Sequence, residues 1–78
     1  MPISTGTNLR AVDIWFTDDM LYVRLSDDRE VGVPLKWYPK LLNADPHQRS
    51  SWRLIGNGIG IHWNDLDEDI SVQGMIYQ

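Results

Sequence analysis

Residues 11–35 read AVDIWFTDDMLYVRLSDDREVGVPL, and the rhythm of that stretch decides the fold. Val12, Ile14 and Phe16 share one side, with Asp13 and Trp15 on the other. After Asp18-Asp19, Leu21, Val23 and Leu25 alternate with Tyr22 and Arg24. After Asp27-Asp28, Val31, Val33 and Leu35 follow, with Glu30 and Gly32 opposite. A period of two is that of a strand. Three such runs, split by short Asp-rich breaks, predict an antiparallel meander with one apolar face. Asp tolerates left-handed backbone and caps its own turn, so the breaks need no functional explanation.

Downstream the period changes. Pro34 ends the third strand or lies on its exposed edge. In KWYPKLLNA, residues 36–44, Trp37, Leu41 and Leu42 can share a helical face, provided Pro39 lies in the first turn. DPHQ, residues 45–48, opens a second short helix, with Asp45 as N-cap, Pro46 at N1 and Gln48 as the returning half of a capping box. That helix is expected to run to about Trp52.

WRLIGNGIGIHW, residues 52–63, reads as a hairpin turning at Asn57-Gly58, where both positions accept positive φ. The turn sets Leu54 opposite Ile61 and Trp52 opposite Trp63 on one side, with Arg53 and His62 paired on the other. DLDEDISVQGMIY, residues 65–77, predicts a short helix beginning near Asp69 or Ser71. The whole reads as one α+β domain over residues 1–78. It comprises a three-stranded meander, two short helices, a β-hairpin and a short C-terminal helix, with helices on one face of the sheet. Residues 1–8 form a loose lead-in.

Composition narrows the function classes. The chain has 78 residues, no cysteine and a formal net charge of −4. The absence of cysteine excludes disulfides, thiolate metal sites and cysteine nucleophiles, and suits a reducing cytoplasm. The start, MPISTGTNLR, lacks the apolar core of a signal peptide. No run approaches the ~20 apolar residues that span a bilayer, so no membrane association is expected. The seven Lys and Arg residues are scattered singly, which disfavours direct nucleic-acid binding, since that needs clustered positive charge. No cofactor is implied.

The acids cluster instead, most densely in GIHWNDLDEDIS, residues 60–71. Asp65, Asp67 and Asp69 match the first three ligand positions of a calcium loop. The pattern then fails, because Ile70 stands where the loop needs Gly and Ile76 where it needs Glu. His62 could join Asp65 or Asp67 on a metal, or act with Asp67 or Glu68 as an acid-base pair. The simpler reading has the acids capping the last helix, at the positive end of its dipole, and His62 paired with Arg53. No residue is assigned as catalytic or metal-binding. Gly56, Gly58 and Gly60 do not lead a strand into a helix, so they serve a turn rather than a phosphate. Trp52 and Trp63 are expected in the core. Trp15 and Tyr22 fall on the sheet face opposite the core, as a solvent-side pair or a contact surface.

LYVRLSDDREVGVPLKWYPKLLNADPHQR, residues 21–49, and IHWNDLDEDISVQGMI, residues 61–76, resemble a small bacterial family, domain of unknown function 2442. The resemblance rests on PL-x-W-[FY]-P, LLNA and IHW-x-x-LDEDISV. It implies a compact α+β domain. It also implies a gene placed beside that of another small protein, as in a toxin–antitoxin pair. It carries over no catalytic residue. Asp28 stands where the family usually has Gly in a turn, and Lys36 where a Ser would cap the first helix.

The expected function is therefore a non-enzymatic protein-interaction module, antitoxin-like, meeting a basic protein partner through Trp15, Tyr22, Asp67, Glu68 and Asp69. The alternatives are a small metal-binding or hydrolytic domain using His62 and the Asp65–Asp69 cluster, and an acidic decoy that inhibits a nucleic-acid-binding protein.

Overall fold

A computed structural model describes residues 9–76; the expected lead-in over 1–8 lies outside them. The meander forms as its alternation predicts: β1 (Ala11–Phe16), β2 (Met20–Leu25) and β3 (Glu30–Pro34) pair in that order, antiparallel throughout. A 3-10 turn over Leu35–Trp37 leads to α1 (Pro39–Leu42) and α2 (Pro46–Ser50). A second three-stranded antiparallel sheet follows, made of β4 (Trp52–Ile55), β5 (Gly60–Trp63) and β6 (Glu68–Ser71). The described chain ends in α3 (Val72–Ile76). The class is α+β, with the strands divided between two sheets.

Both sheets turn one face to a single core. Leu21, Val23, Leu25 and Val33 of the first sheet and Ile61, Trp63 and Ile70 of the second are buried together with Leu35, Leu41, Val72 and Met75. Trp63 is fully buried, and its indole Nε1 donates to the Arg49 carbonyl at 3.0 Å. Phe16 meets it edge-on, with ring centroids 6.4 Å apart. Arg49 in turn donates to the carbonyls of Leu41 and Leu42 at 2.9 and 3.0 Å, satisfying acceptors that a helix end leaves without partners.

Two expectations about the core are corrected. Val12 does not share the inner face with Ile14 and Phe16. A register shift between Ala11 and Asp13 buries Ala11 and leaves Val12 55% exposed, because a bulge moves every residue before it to the other face. Trp37 and Leu42 do not share a buried helical face with Leu41. Proline at both 34 and 39 breaks the segment into a 3-10 turn and a separate helical turn, leaving Trp37 51% and Leu42 44% exposed.

Local signals elsewhere translate directly. Asp45 accepts from the Gln48 amide at 2.8 Å while the Gln48 side chain accepts from the Asp45 amide at 3.0 Å, with Pro46 opening the helix. The helix stops at Ser50, short of Trp52, which begins β4. Asp45→Ala is expected to cost about 1 kcal/mol of unfolding free energy in a urea titration. The β4–β5 hairpin has the expected register, Trp52↔Trp63, Arg53↔His62 and Leu54↔Ile61, with positive φ at Asn57 and Gly58. Asp28, where the resemblance expects Gly, has φ 75°.

Candidate functional site

The acidic stretch folds as a hairpin. β5 and β6 pair Trp63↔Glu68, His62↔Asp69 and Ile61↔Ile70. Residues 64–67 make the turn, with Asp67 at φ 51°. The acids therefore do not cap the last helix. Ser71 lies there, its hydroxyl accepting from the Gly74 amide at 3.2 Å. The helix itself begins at Val72, close to its expected start, and the strand before it was hidden by the density of acids. Aspartate is a poor strand former, and EDIS is held extended by β5 rather than by its own preference.

Each acid in this stretch has a position of its own. Lys40 of α1 reaches across to donate to the Asp67 carbonyl at 3.1 Å, and lies 3.8 Å from the Glu68 carboxylate. Burial, and then the Glu68 charge, push the Tyr38 phenol above its usual 10.0. Asp69 lies on the outer face of the second sheet and contacts His62 Nδ1 through Oδ1. His62 thus has both its expected cross-strand neighbour Arg53 and a carboxylate partner on the other side. Asp65 and Asp67 lie in the turn between the two strands. Among the described residues no group of three His, Asp or Glu side chains converges as metal ligands would.

Tyr38 gives a signed pH expectation. Its proton is held more tightly in the folded chain than in the unfolded one, so its contribution to stability is intact below pH 10 and is lost as pH climbs through the folded value. Tyr38→Phe should flatten the alkaline fall in Tm above pH 10. An unchanged alkaline limb would show that another group controls it.

Trp15 and Tyr22 are brought together on the outer face of the first sheet. They are cross-strand partners, stacked with centroids 5.9 Å apart and planes 16° from parallel. Arg24 lies over the Trp15 ring at 5.6 Å and pairs with Glu30 at 2.6 Å. The Tyr22 ring covers Gly32, where an added Cβ would lie 2.6 Å from it. Sequence reasoning found the two rings but not Arg24 or Glu30. Register alone could have supplied them, since Asp13, Arg24 and Glu30 form the next row. The aromatic pair lies on the first sheet, Glu68 and Asp69 lie on the second, and Asp67 lies in the turn before β6.

This arrangement of sheets and turns matches a known one. The sequence profile described as "Protein of unknown function (DUF2442)" matches residues 11–78. The chain belongs to that family. A crystal structure of a protein of unknown function from Rhodospirillum rubrum ATCC 11170 is similar, with a TM-score of 0.76 and 25% sequence identity. The similarity covers 88% of this chain and 86% of that one. A comparison with curated proteins finds no match. No helix among the described residues is long and apolar enough to cross a membrane.

Proposed function

We propose that this DUF2442 chain is a non-enzymatic protein-interaction module of the cytoplasm, the antidote-like half of a two-protein system, with a basic partner. The observation that carries the reading is the Trp15–Tyr22 stack. It sits on a solvent-side sheet face, and Trp15 also borders a groove of about 390 Å3 that the exposed Asp18 helps to line. Rigid aromatic side chains beside a groove supply contact area at small entropic cost, and such residues commonly dominate binding energy. The net charge of −4 steers a basic partner toward the surface. Glu68 and Asp69 lie on the other sheet and Asp67 in the turn that leads into it, and all three add to that field rather than to the same contact.

Co-purification of the chain with the product of the neighbouring gene tests the reading. A complex at micromolar concentration that weakens on Trp15→Ala supports it, and failure to associate at that concentration removes it.

One observation favours a second reading. The His62–Asp69 contact holds an imidazole against a carboxylate, an arrangement that serves acid-base or metal chemistry. Melting the protein with calcium, manganese or zinc decides this. A metal at a hundredfold excess over its Kd should add about 2.7 kcal/mol, and no shift with any of the three removes the metal form.

A further inference from the structure

Among the described residues, β1 is an edge strand of the first sheet. β1 is bonded to β2 on one side, and among the described residues no strand pairs with its other side. Hydrogen bonds in an antiparallel ladder alternate, so one bond fixes the direction of the rest. The Thr17 amide donates to the Met20 carbonyl at 2.9 Å, which makes Trp15↔Tyr22 the next hydrogen-bonded pair. The opposite side of β2 agrees: the Leu35 amide bonds to Asp19, and the Leu25 amide to Arg29. Odd-numbered residues of β2 thus face β3 and even-numbered ones face β1. Ile14 and Phe16 therefore turn their backbone groups to the free edge. The Asp13 carboxylate accepts from the Ile14 amide at 2.9 Å. The groups left for a ligand are the Ile14 carbonyl and the Phe16 amide and carbonyl.

The 390 Å3 groove lies along this edge. The end of β1 forms one wall, and Trp52 with Pro46 and Ser50 of α2 forms the other. Toward the start of β1 the edge is closed by the Gly56–Gly58 turn, where Arg10 donates to the Gly56 carbonyl at 3.2 Å. Two charges border the groove, Asp18 and Arg49. The Arg49 guanidinium is already engaged by the Leu41 and Leu42 carbonyls, so Asp18 is the charge open to a ligand.

We propose that this groove takes an extended segment of a protein partner, added against β1 as a fourth strand, with a cationic residue set at Asp18. This rests on the interaction reading above and names the form of the ligand. An open ladder edge selects a backbone in the β conformation, because a helix already satisfies its own amides and carbonyls. One partner residue opposite Phe16 exchanges both bonds. The residue opposite Ile14 gives one, since Asp13 holds the amide. Trp15 and Trp52 receive alternate side chains of the added strand. A second copy of this chain fits worse, because it would set one net charge of −4 against another.

The test is a random-peptide display library panned on the full chain, with recovered peptides measured by fluorescence anisotropy and mapped by amide NMR shifts. Expected are peptides with apolar residues at every second position and Lys or Arg at one end, moving the Ile14 to Asp18 amides and slowing exchange at Phe16. Ser50→Trp, at an exposed position whose hydroxyl bonds to the His47 carbonyl of its own helix, should fill the groove and weaken binding about tenfold or more. Asp18→Lys should weaken it most at low salt. Circular dichroism checks that both variants fold.

Peptides that map instead to the hollow of about 380 Å3 lined by Met20, Pro34 and Leu42 would overturn the edge site and leave the interaction reading standing. So would binding indifferent to Ser50→Trp. Recovery of no binder also overturns the edge site, and the neighbour co-purification then decides the broader reading alone.

Discussion

Gly58→Ala is expected to destabilise the protein by about 3 kcal/mol or more. Two independent causes add. Gly58 has φ +98°, a backbone conformation that costs an L-residue about 1–2 kcal/mol. A Cβ at this position would lie 2.4 Å from the Ala11 carbonyl oxygen and 3.1 Å from the Ala11 nitrogen. Both are backbone atoms at the start of β1, so relief requires the two sheets to move apart. Overpacking of this kind costs about 1–3 kcal/mol. A core in a chain of this size supplies roughly 3–5 kcal/mol, so most of the stability goes. Urea titration followed by far-ultraviolet circular dichroism measures it. Gly74→Ala is the contrasting substitution. There the added Cβ meets only Ser71 side-chain atoms at 3.7 and 3.8 Å, and alanine is the better helix former, so a gain of about 0.5–1 kcal/mol is expected. If both substitutions fall within experimental error of each other, the close approach at Gly58 does not exist in solution.

Trp63→Ala is expected to cost about 3–5 kcal/mol, enough to leave little folded chain at room temperature. Trp63 has no exposed surface and joins elements distant in sequence. It meets Phe16 of β1 edge-on, bonds to the carbonyl of Arg49, and pairs with Trp52 across β4 and β5. Removal leaves a cavity and an acceptor without its donor. Trp63→Phe keeps most of the volume and loses the hydrogen bond, so it should cost clearly less than alanine. Equal losses would mean that the indole N–H, rather than packing, dominates. Trp15→Ala on the outer face should fall well below either, because Trp15 is only half-buried and its neighbours Tyr22 and Arg24 remain solvated.

What the sequence disclosed depended on whether local chemistry or tertiary contact controls each element. The capping box at Asp45 and Gln48 and the Asn57-Gly58 turn were legible because the responsible groups lie within four residues of each other. Alternation located β1 to β3, yet a single extra residue near Val12 reversed the assignment of that side chain, and no local signal marks such a bulge. β6 was missed because its pairing with β5, not its composition, holds it extended. Trp37 was misplaced for a reason the sequence did contain. Proline at 34 and 39 leaves too few residues between them for a helical face. Of the nominated contacts, Trp15 and Tyr22 were found together because strand register is periodic. Glu68 and Asp69 lie on the other sheet because β6 pairs with β5 rather than with the meander, which no periodicity encodes.

Among the described residues, each strand pairs only with strands next to it along the chain, within its own sheet, and that has a kinetic consequence. Each sheet can close through short loops at small entropic cost. The contact of Arg10 with Gly56, 46 positions apart, is different, because it forms only when two finished halves meet. Docking, rather than strand pairing, is then the late step, and contacts at that seam should be absent from the transition state. Loosening the seam should accelerate unfolding while refolding stays nearly constant, giving a chevron plot that shifts in its unfolding limb alone.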